Sequence, residues 1–306
     1  MAWAAEHHAR EMTIAPNPFS ILTWWADHTS RIRLGPAVVA AAYWHPIKLA
    51  GEAAFLDLIS GGRLEFGIGS GAYQREFDRM RPGLKQSDAW RHMQEMLPVV
   101  QKLWAGDCDH QGEFWSFPTS TSVPKPLQAR VPVWIAARAP ITYDYAVQNG
   151  CNIMSWPLTR DMAEATTHMA RMDEALAANP GTPRPLMGMM RHTAVNDRKA
   201  DWMVPVRAAQ RQLGQFESLF KNLGDVENGF PGSIPLDQLG NRAEFDPDML
   251  RRNLMFGTPD EVIAQLKEYE ALAVDAFIYY ASLGLGHAEQ KRSLALFVAE
   301  VMAEFA

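Results

Sequence analysis

Two adjacent imidazoles, His7 and His8, follow the short apolar run Trp3-Ala4-Ala5 and the acid Glu6. Imidazole titrates near neutrality, so a histidine at a strand end can act as base or acid, or can stabilise developing negative charge. A hydrogen-bonded structural histidine is the alternative for either residue. A third imidazole, His45, precedes Pro46 where a strand gives way to a helix. Gly67-Ile68-Gly69-Ser70-Gly71-Ala72 fits the G-x-G-x-x-A pattern of dinucleotide-binding turns. That pattern needs an acid about twenty residues on, at the end of a second strand. Asp88 instead stands at the start of a helix, and the glycines serve equally to bring backbone close to any flat cofactor. Arg138 lies between a strand and a helix. A guanidinium and the first N–H groups of a helix together make a phosphate site there, with a plain surface arginine as the alternative. Ser155-Trp156 closes the next strand, where an indole either stacks on a ring or fills core.

These residues need elements to hold them. Arg33 to Val39 reads as a strand. Pro46 opens a helix to Ile59 with Leu49, Ala53 and Leu56 on one face, and Gly61-Gly62 ends it. Leu64 to Ile68 alternates as a strand, and Trp90 to Trp104 is helical. Val133 to Ala136, Asn152 to Met154, Leu186 to Ala194 and Ala276 to Tyr280 are strands, with helices at Ile141 to Gln148 and Asp161 to Ala178. Thr258-Pro259-Asp260-Glu261 is a capping box for a helix to Leu272. A last helix sets Leu294, Phe297, Val298, Val301, Met302 and Phe305 on one apolar stripe. Strands alternating with helices point to a parallel sheet, open or closed. Two stretches break the rhythm and read as long loops: residues 107–130, with a hairpin-like segment, and 214–253.

Composition narrows the function. The 306 residues are 47% hydrophobic, enough for a large core, and the net charge of −6 gives no electrostatic reason to expect nucleic acid. No apolar run reaches the roughly eighteen residues of a membrane span, and no signal peptide opens the sequence. Cys108 and Cys151 are too few for a disulfide framework, so the cytoplasm is the default compartment. The sixteen methionines and ten tryptophans read first as core filling.

Taken in order and spacing, a set of phrases resembles the bacterial luciferase-like family of flavin-dependent monooxygenases, nearest the branch of the luciferase alpha subunit. They are Trp3-Ala4-Ala5-Glu6-His7-His8, Arg31-Ile32-Arg33-Leu34-Gly35, His45-Pro46, Leu56 to Arg63, Gly67 to Tyr73 with Glu76-Phe77, Pro132 to Arg138, Ser155-Trp156 and Gly257 to Glu261. The resemblance covers nearly the whole chain and implies one α/β domain over residues 1–306, a (β/α)8 TIM barrel with flavin at the C-terminal strand ends. It implies reduced FMN delivered by a separate flavin reductase, O2, a small organic substrate, a homodimer and no metal. It makes His7 the catalytic residue, with His8 and His45 as possible active-site neighbours. It sets Ala37-Val38 under the flavin ring, sometimes through a non-proline cis peptide. Ser70, Ala137, Arg138, Ala139, Ser155 and Trp156 become cofactor-binding.

Three departures stand out. Ser70 replaces a phosphate-holding arginine of the luciferase alpha subunit. Ala137-Arg138-Ala139 replaces an acidic residue and a serine. Relatives also carry a strand, a helix and most of a second strand ahead of the Glu-His-His phrase, whereas here Met1 lies five residues before Glu6. The expectation is a barrel lacking its first βα unit, with the natural chain starting upstream.

Three other functions compete. One is a deazaflavin (F420)-dependent hydride-transfer enzyme on the same barrel. Another is a non-catalytic flavin-binding or supporting subunit, against which the retention of His7 speaks. The third is a nicotinamide dehydrogenase built on the Gly67 turn, which sits too far along the chain for that role. Phe114, Trp115, Phe117, Phe216 and Phe220 in the long loops hint at an apolar or aromatic ligand.

Asp57 and Arg63, which flank the end of the first long helix, read as structural.

Overall fold

The computed structural model describes the chain except residues 10–12, 14, 221–225, 229, 233–234, 236–244, 282–283 and 306, and gives backbone only for 215–220, 226, 230 and 231. Two compact units emerge: Met1–Ala136 with Glu227–Phe230, and Ala137–Val226 with Pro231–Ala306.

In the first unit, β1 (Ala2–Ala4) leads to helix α1 (Pro18–Asp27), which the sequence pattern alone does not announce. The Asn17 side chain accepts from Phe19 N–H at 2.9 Å, and Pro18 opens the first turn. β2 (Leu34–Pro36) returns parallel to β1, with Trp3 opposite Gly35. β3 (Val39–Ala40) follows, then helix α2 (Pro46–Ile59) and β4 (Phe66–Gly69), which runs parallel to β3. Parallel neighbours require crossovers, and α2 is one. After α3 (Gln74–Met80) and α4 (Ala89–Ala105), β5 (Cys108–Gln111) and β6 (Ser116–Ser120) form the expected hairpin. β7 (Val133–Ala136) then joins β4 in parallel.

The single strand expected from Arg33 to Val39 is two strands. A cis peptide joins Ala37 to Val38 between β2 and β3, while Ala37 N–H still donates to Ala4 O at 2.8 Å. The glycines of β4 answer to this crossing. A Cβ on Gly67 would lie 2.1 Å from Pro36 O, and one on Gly69 would lie 2.7 Å from a Val38 methyl. Their job in the fold is therefore close backbone packing against the 36–38 segment, which removes the reason to read them as a dinucleotide turn.

Asp57, fully buried near the end of α2, ties that helix to a distant loop. Its carboxylate accepts from Leu127 N–H at 2.7 Å, Gln128 N–H at 2.9 Å and Gln128 Nε2 at 2.7 Å. Arg63 donates to Ser60 O, Ile32 O and Ala26 O. Both residues thus have the structural roles read from their place beside the helix end.

In the second unit, α5 (Pro140–Gln148) precedes β8 (Asn152–Ser155), and α6 (Met162–Ala178) precedes β9 (Met187–Val195). α7 (Met203–Phe220) comes next, then α8 (Pro247–Asn253); between them in sequence, the two-residue strands β10 (Val226–Glu227) and β11 (Phe230–Pro231) fall where the division between the units runs. β12 (Met255–Gly257), α9 (Pro259–Ala271), β13 (Ala276–Tyr280) and α10 (His287–Leu296) complete the second unit. β9 is the hub: β8, β12 and β13 all pair with it in parallel. Eight of its nine residues are buried, as a parallel strand covered on both faces demands. The stretch expected to be irregular from residue 214 begins inside α7 and ends in α8, and much of what lies between falls outside the described residues.

The last helix also departs from expectation. Leu296, Phe297 and Val301 are buried, whereas Leu294, Val298, Met302 and Phe305 are exposed. The α-helix stops at Leu296 and continues as a π turn over Phe297–Val301 and a 3₁₀ turn over Met302–Phe305. Those turns change the residues per turn, so a stripe extrapolated at 3.6 no longer shares one face. Among the described residues, no helix is long and apolar enough to cross a membrane.

Candidate active site

In the first unit, the residues after β1 enter a web of acids. The His7 Nδ1–H faces Glu76 at 3.1 Å, and His8 N–H donates to the same carboxylate at 2.9 Å. Glu76 belongs to α3 and is almost fully buried, so a carboxylate from 69 residues away orients the imidazole. A bond at Nδ1 selects the tautomer that leaves Nε2 as the ring's proton acceptor. The ring of Tyr73, at the start of α3, lies 5.6 Å from that of His7. His7 itself is part-buried, which suits a group that must meet both a fixed partner and an incoming reactant.

His8 is engaged differently. Its Nε2 lies 2.6 Å from Glu6, a buried carboxylate that also accepts from Ala40 N–H at 2.7 Å and Trp44 Nε1 at 2.9 Å. The Glu6 hydrogen bond raises the His8 pKa above its ordinary value, against the pull of burial. Its ring meets Tyr43 edge-on at 5.4 Å. His45 is exposed and caps α2: its Nδ1 accepts from Ile47 N–H at 3.3 Å, and its ring lies 5.7 Å from Phe117 of the hairpin. Ser70, half-buried, follows β4 directly, and the cis pair Ala37-Val38 flanks the same strand.

In the second unit, Ala137 is buried and its N–H donates to Met154 O at 2.9 Å. Arg138 is exposed, and its carbonyl accepts from Arg171 at 2.6 Å. Ala139 is the N-cap of α5 and provides no side-chain cap, with Pro140 in the first turn. A helix start of this kind keeps backbone donors for an anion. Ser155 is tied into a buried network. Its hydroxyl donates to Ala137 O at 2.6 Å and bonds Tyr143 OH at 2.5 Å, and Tyr143 bonds His168 Nδ1 at 2.7 Å. Burial pushes the Tyr143 phenol up to about 12 and pulls His168 down to about 4, so both are neutral at pH 7. Trp156, half-buried, packs edge-on against His192 at 5.3 Å and Tyr280 at 5.8 Å.

Comparison with known proteins gives the family. The profile of the luciferase-like monooxygenases matches residues 1–276. The chain belongs to the luciferase-like monooxygenase family. Over 304 residues this luciferase-like protein is 40% identical to the oxygenase component of a flavin-dependent trigonelline monooxygenase from Acinetobacter baylyi, covering 99% of this chain and 84% of that protein. Its fold is similar to a monooxygenase from Streptomyces bottropensis (TM-score 0.77, 24% identity, 99% of this chain and 88% of that one). It is also similar to the oxygenating constituent of 3,6-diketocamphane monooxygenase from Pseudomonas putida, solved with FMN (TM-score 0.74, 19% identity, 99% and 88%). This luciferase-like protein is a flavin-dependent monooxygenase.

The motifs single out His7 and give no role to Glu76 or Glu6, although both acids stand within them. Glu6 had a local signal, an acid beside the His7-His8 pair, whereas Glu76 had none. What hid the pairing was the distance along the chain. His192 carries no local mark, because it stands within an apolar strand.

Proposed function

We propose that the chain is the oxygenase half of a two-component system: a (β/α)8 barrel enzyme that takes reduced FMN from a separate reductase and oxygenates an N-methylated heteroaromatic carboxylate of the trigonelline kind. The observation that carries this reading is the His7–Glu76 pair, with Nδ1 anchored at 3.1 Å on a buried carboxylate. The substrate class follows the 40% identical relative. A homodimer in the cytoplasm is the expected setting.

The donor set suits a phosphoflavin. Arg138 precedes an α5 start that has no side-chain cap, and a guanidinium beside free helix donors is a phosphate site. Within the first unit, Ser70, with an uncharged hydroxyl, and Ala37-Val38 are the positions that the family resemblance assigns to the cofactor. The flavin, when bound and reduced, supplies the electrons that activate oxygen. His7 then holds or delivers a proton at Nε2, and Glu76 keeps the ring oriented. Glu6 fixes His8 and the end of β3 through Ala40 N–H, so the histidine loop keeps its place.

The test is turnover with reduced FMN from a generic NADH-driven reductase, trigonelline and ¹⁸O₂. Label in the organic product is the expected result. NADH and oxygen consumption with no labelled product, or turnover with reduced F420 alone, would sink the reading. In the same preparation, Arg138→Ala should weaken reduced FMN by about tenfold, the worth of one charge-assisted contact, and leave reduced riboflavin unchanged. Equal loss for both flavins would remove Arg138 from the phosphate site.

A further inference from the structure

His192 is only 1% exposed, and neither ring nitrogen has a hydrogen-bond partner among the described residues. Burial, with the neighbouring Arg191 charge adding to it, pulls its pKa down to about 3, so the ring is neutral at pH 7. A neutral imidazole has one donor and one acceptor. Leaving both unmet in the interior is costly and rare in native proteins, and such a group calls for an explanation.

Its surroundings supply one. His192 lies opposite Tyr280 in the parallel register of β9 and β13, and the two rings are 4.6 Å apart. Trp156, the residue after β8, meets both rings edge-on. Tyr280 ends β13, so the three rings gather toward the C-terminal ends of three parallel strands, where open and closed α/β sheets bind ligands. Trp156 and Tyr280 are half-buried. Arg191, buried beside them, donates to Tyr269 OH at 2.5 Å and to the carbonyls of Leu158 and Arg160. Its partners are a phenol and carbonyls, so its charge adds a positive potential at the imidazole.

We infer that His192, Trp156 and Tyr280 form the seat of the organic substrate. The cationic ring of an N-alkylated heteroaromatic carboxylate lies against the faces of Trp156 and Tyr280, and its carboxylate accepts from a His192 N–H. The aromatic faces attract the cation, and the orphaned donor under the Arg191 field receives the anion. One zwitterion thereby satisfies both features. The inference rests on the substrate class proposed above and extends it to named residues.

Isothermal titration of the reduced-FMN enzyme under anaerobic conditions separates the outcomes. The probes are trigonelline and N-methylpyridinium, which lacks the carboxylate. His192→Phe should raise the trigonelline Kd by about tenfold or more, the worth of a hydrogen bond to a charged group, and leave N-methylpyridinium and FMN binding unchanged. His192→Asn or His192→Gln should restore part of the loss, according to which nitrogen donates. Tyr280→Leu should weaken both probes and leave FMN alone, and carries the test if His192→Phe does not fold. If wild type binds trigonelline and neither the His192 variants nor Tyr280→Leu changes that, the seat is elsewhere while the substrate class stands. If wild type binds neither probe, the substrate class fails and the seat with it.

Discussion

His7→Ala lowers substrate-dependent oxygenation by about 10²- to 10⁴-fold while flavin binding survives, the range expected for loss of a positioned proton-transfer group. Two features of the site set that expectation. The ring is part-buried and held at Nδ1, so its tautomer and orientation are fixed before any reactant arrives. The carboxylate that holds it is buried on a helix, so it cannot swing away to solvent. Glu76→Gln keeps the shape and weakens the charge, and should cost about 10- to 100-fold, as does loss of an orienting carboxylate behind a functional histidine. The measurement is single-turnover oxygenation with preformed reduced flavin, which bypasses the reductase. Full rates for His7→Ala would end its catalytic assignment, and an unchanged single-turnover rate for Glu76→Gln would reduce that carboxylate to a structural anchor.

Asp57→Ala destabilises the protein by about 3–5 kcal/mol, the range for stripping the partner from buried donors. The Asp57 carboxylate is fully buried and accepts from the two backbone N–H groups of Leu127 and Gln128 and from the Gln128 amide. Alanine takes the carboxylate from the Leu127 and Gln128 N–H groups and opens a small cavity, while the Gln128 amide keeps only Leu64 O at 2.9 Å. Asp57→Asn retains one acceptor oxygen and should lose less. Urea denaturation followed by tryptophan fluorescence measures the difference. A midpoint for Asp57→Ala close to wild type would mean that the 127–128 loop relaxes to water at little cost.

The two expected losses differ in how visible they were beforehand. Asp57 was recognisable as structural from its place near a helix end, before any coordinate was known. Its partners at Leu127 and Gln128 were not, because a loop seventy residues away leaves no trace in the local pattern. The His7 assignment came from motif resemblance, and the Glu76 contact came only from folding. The histidine next door shows the same division: the phrase Glu6-His7-His8 is legible as it stands, but the ring of His8 turns back two residues to Glu6. Only the backbone path after β1 decides that.

By itself, the sequence determined the elements whose causes are local. Pro46 and Pro259 open helices, Thr258 and Glu261 close a capping box, and the apolar runs at Val133–Ala136 and Ala276–Tyr280 can only be short strands between helices. It also determined the family, because ordered motifs over nearly the whole chain depend on no contact. The tertiary structure alone decided the rest. An apparent strand is two, β2 and β3, a π turn follows Leu296 where the apolar stripe of the last helix fails, and neither nitrogen of His192 has a partner among the described residues. Each of these is settled by what packs against a residue from elsewhere in the chain. Burial and hydrogen-bond partnership are properties of a place in space, and neighbours along the chain do not specify them.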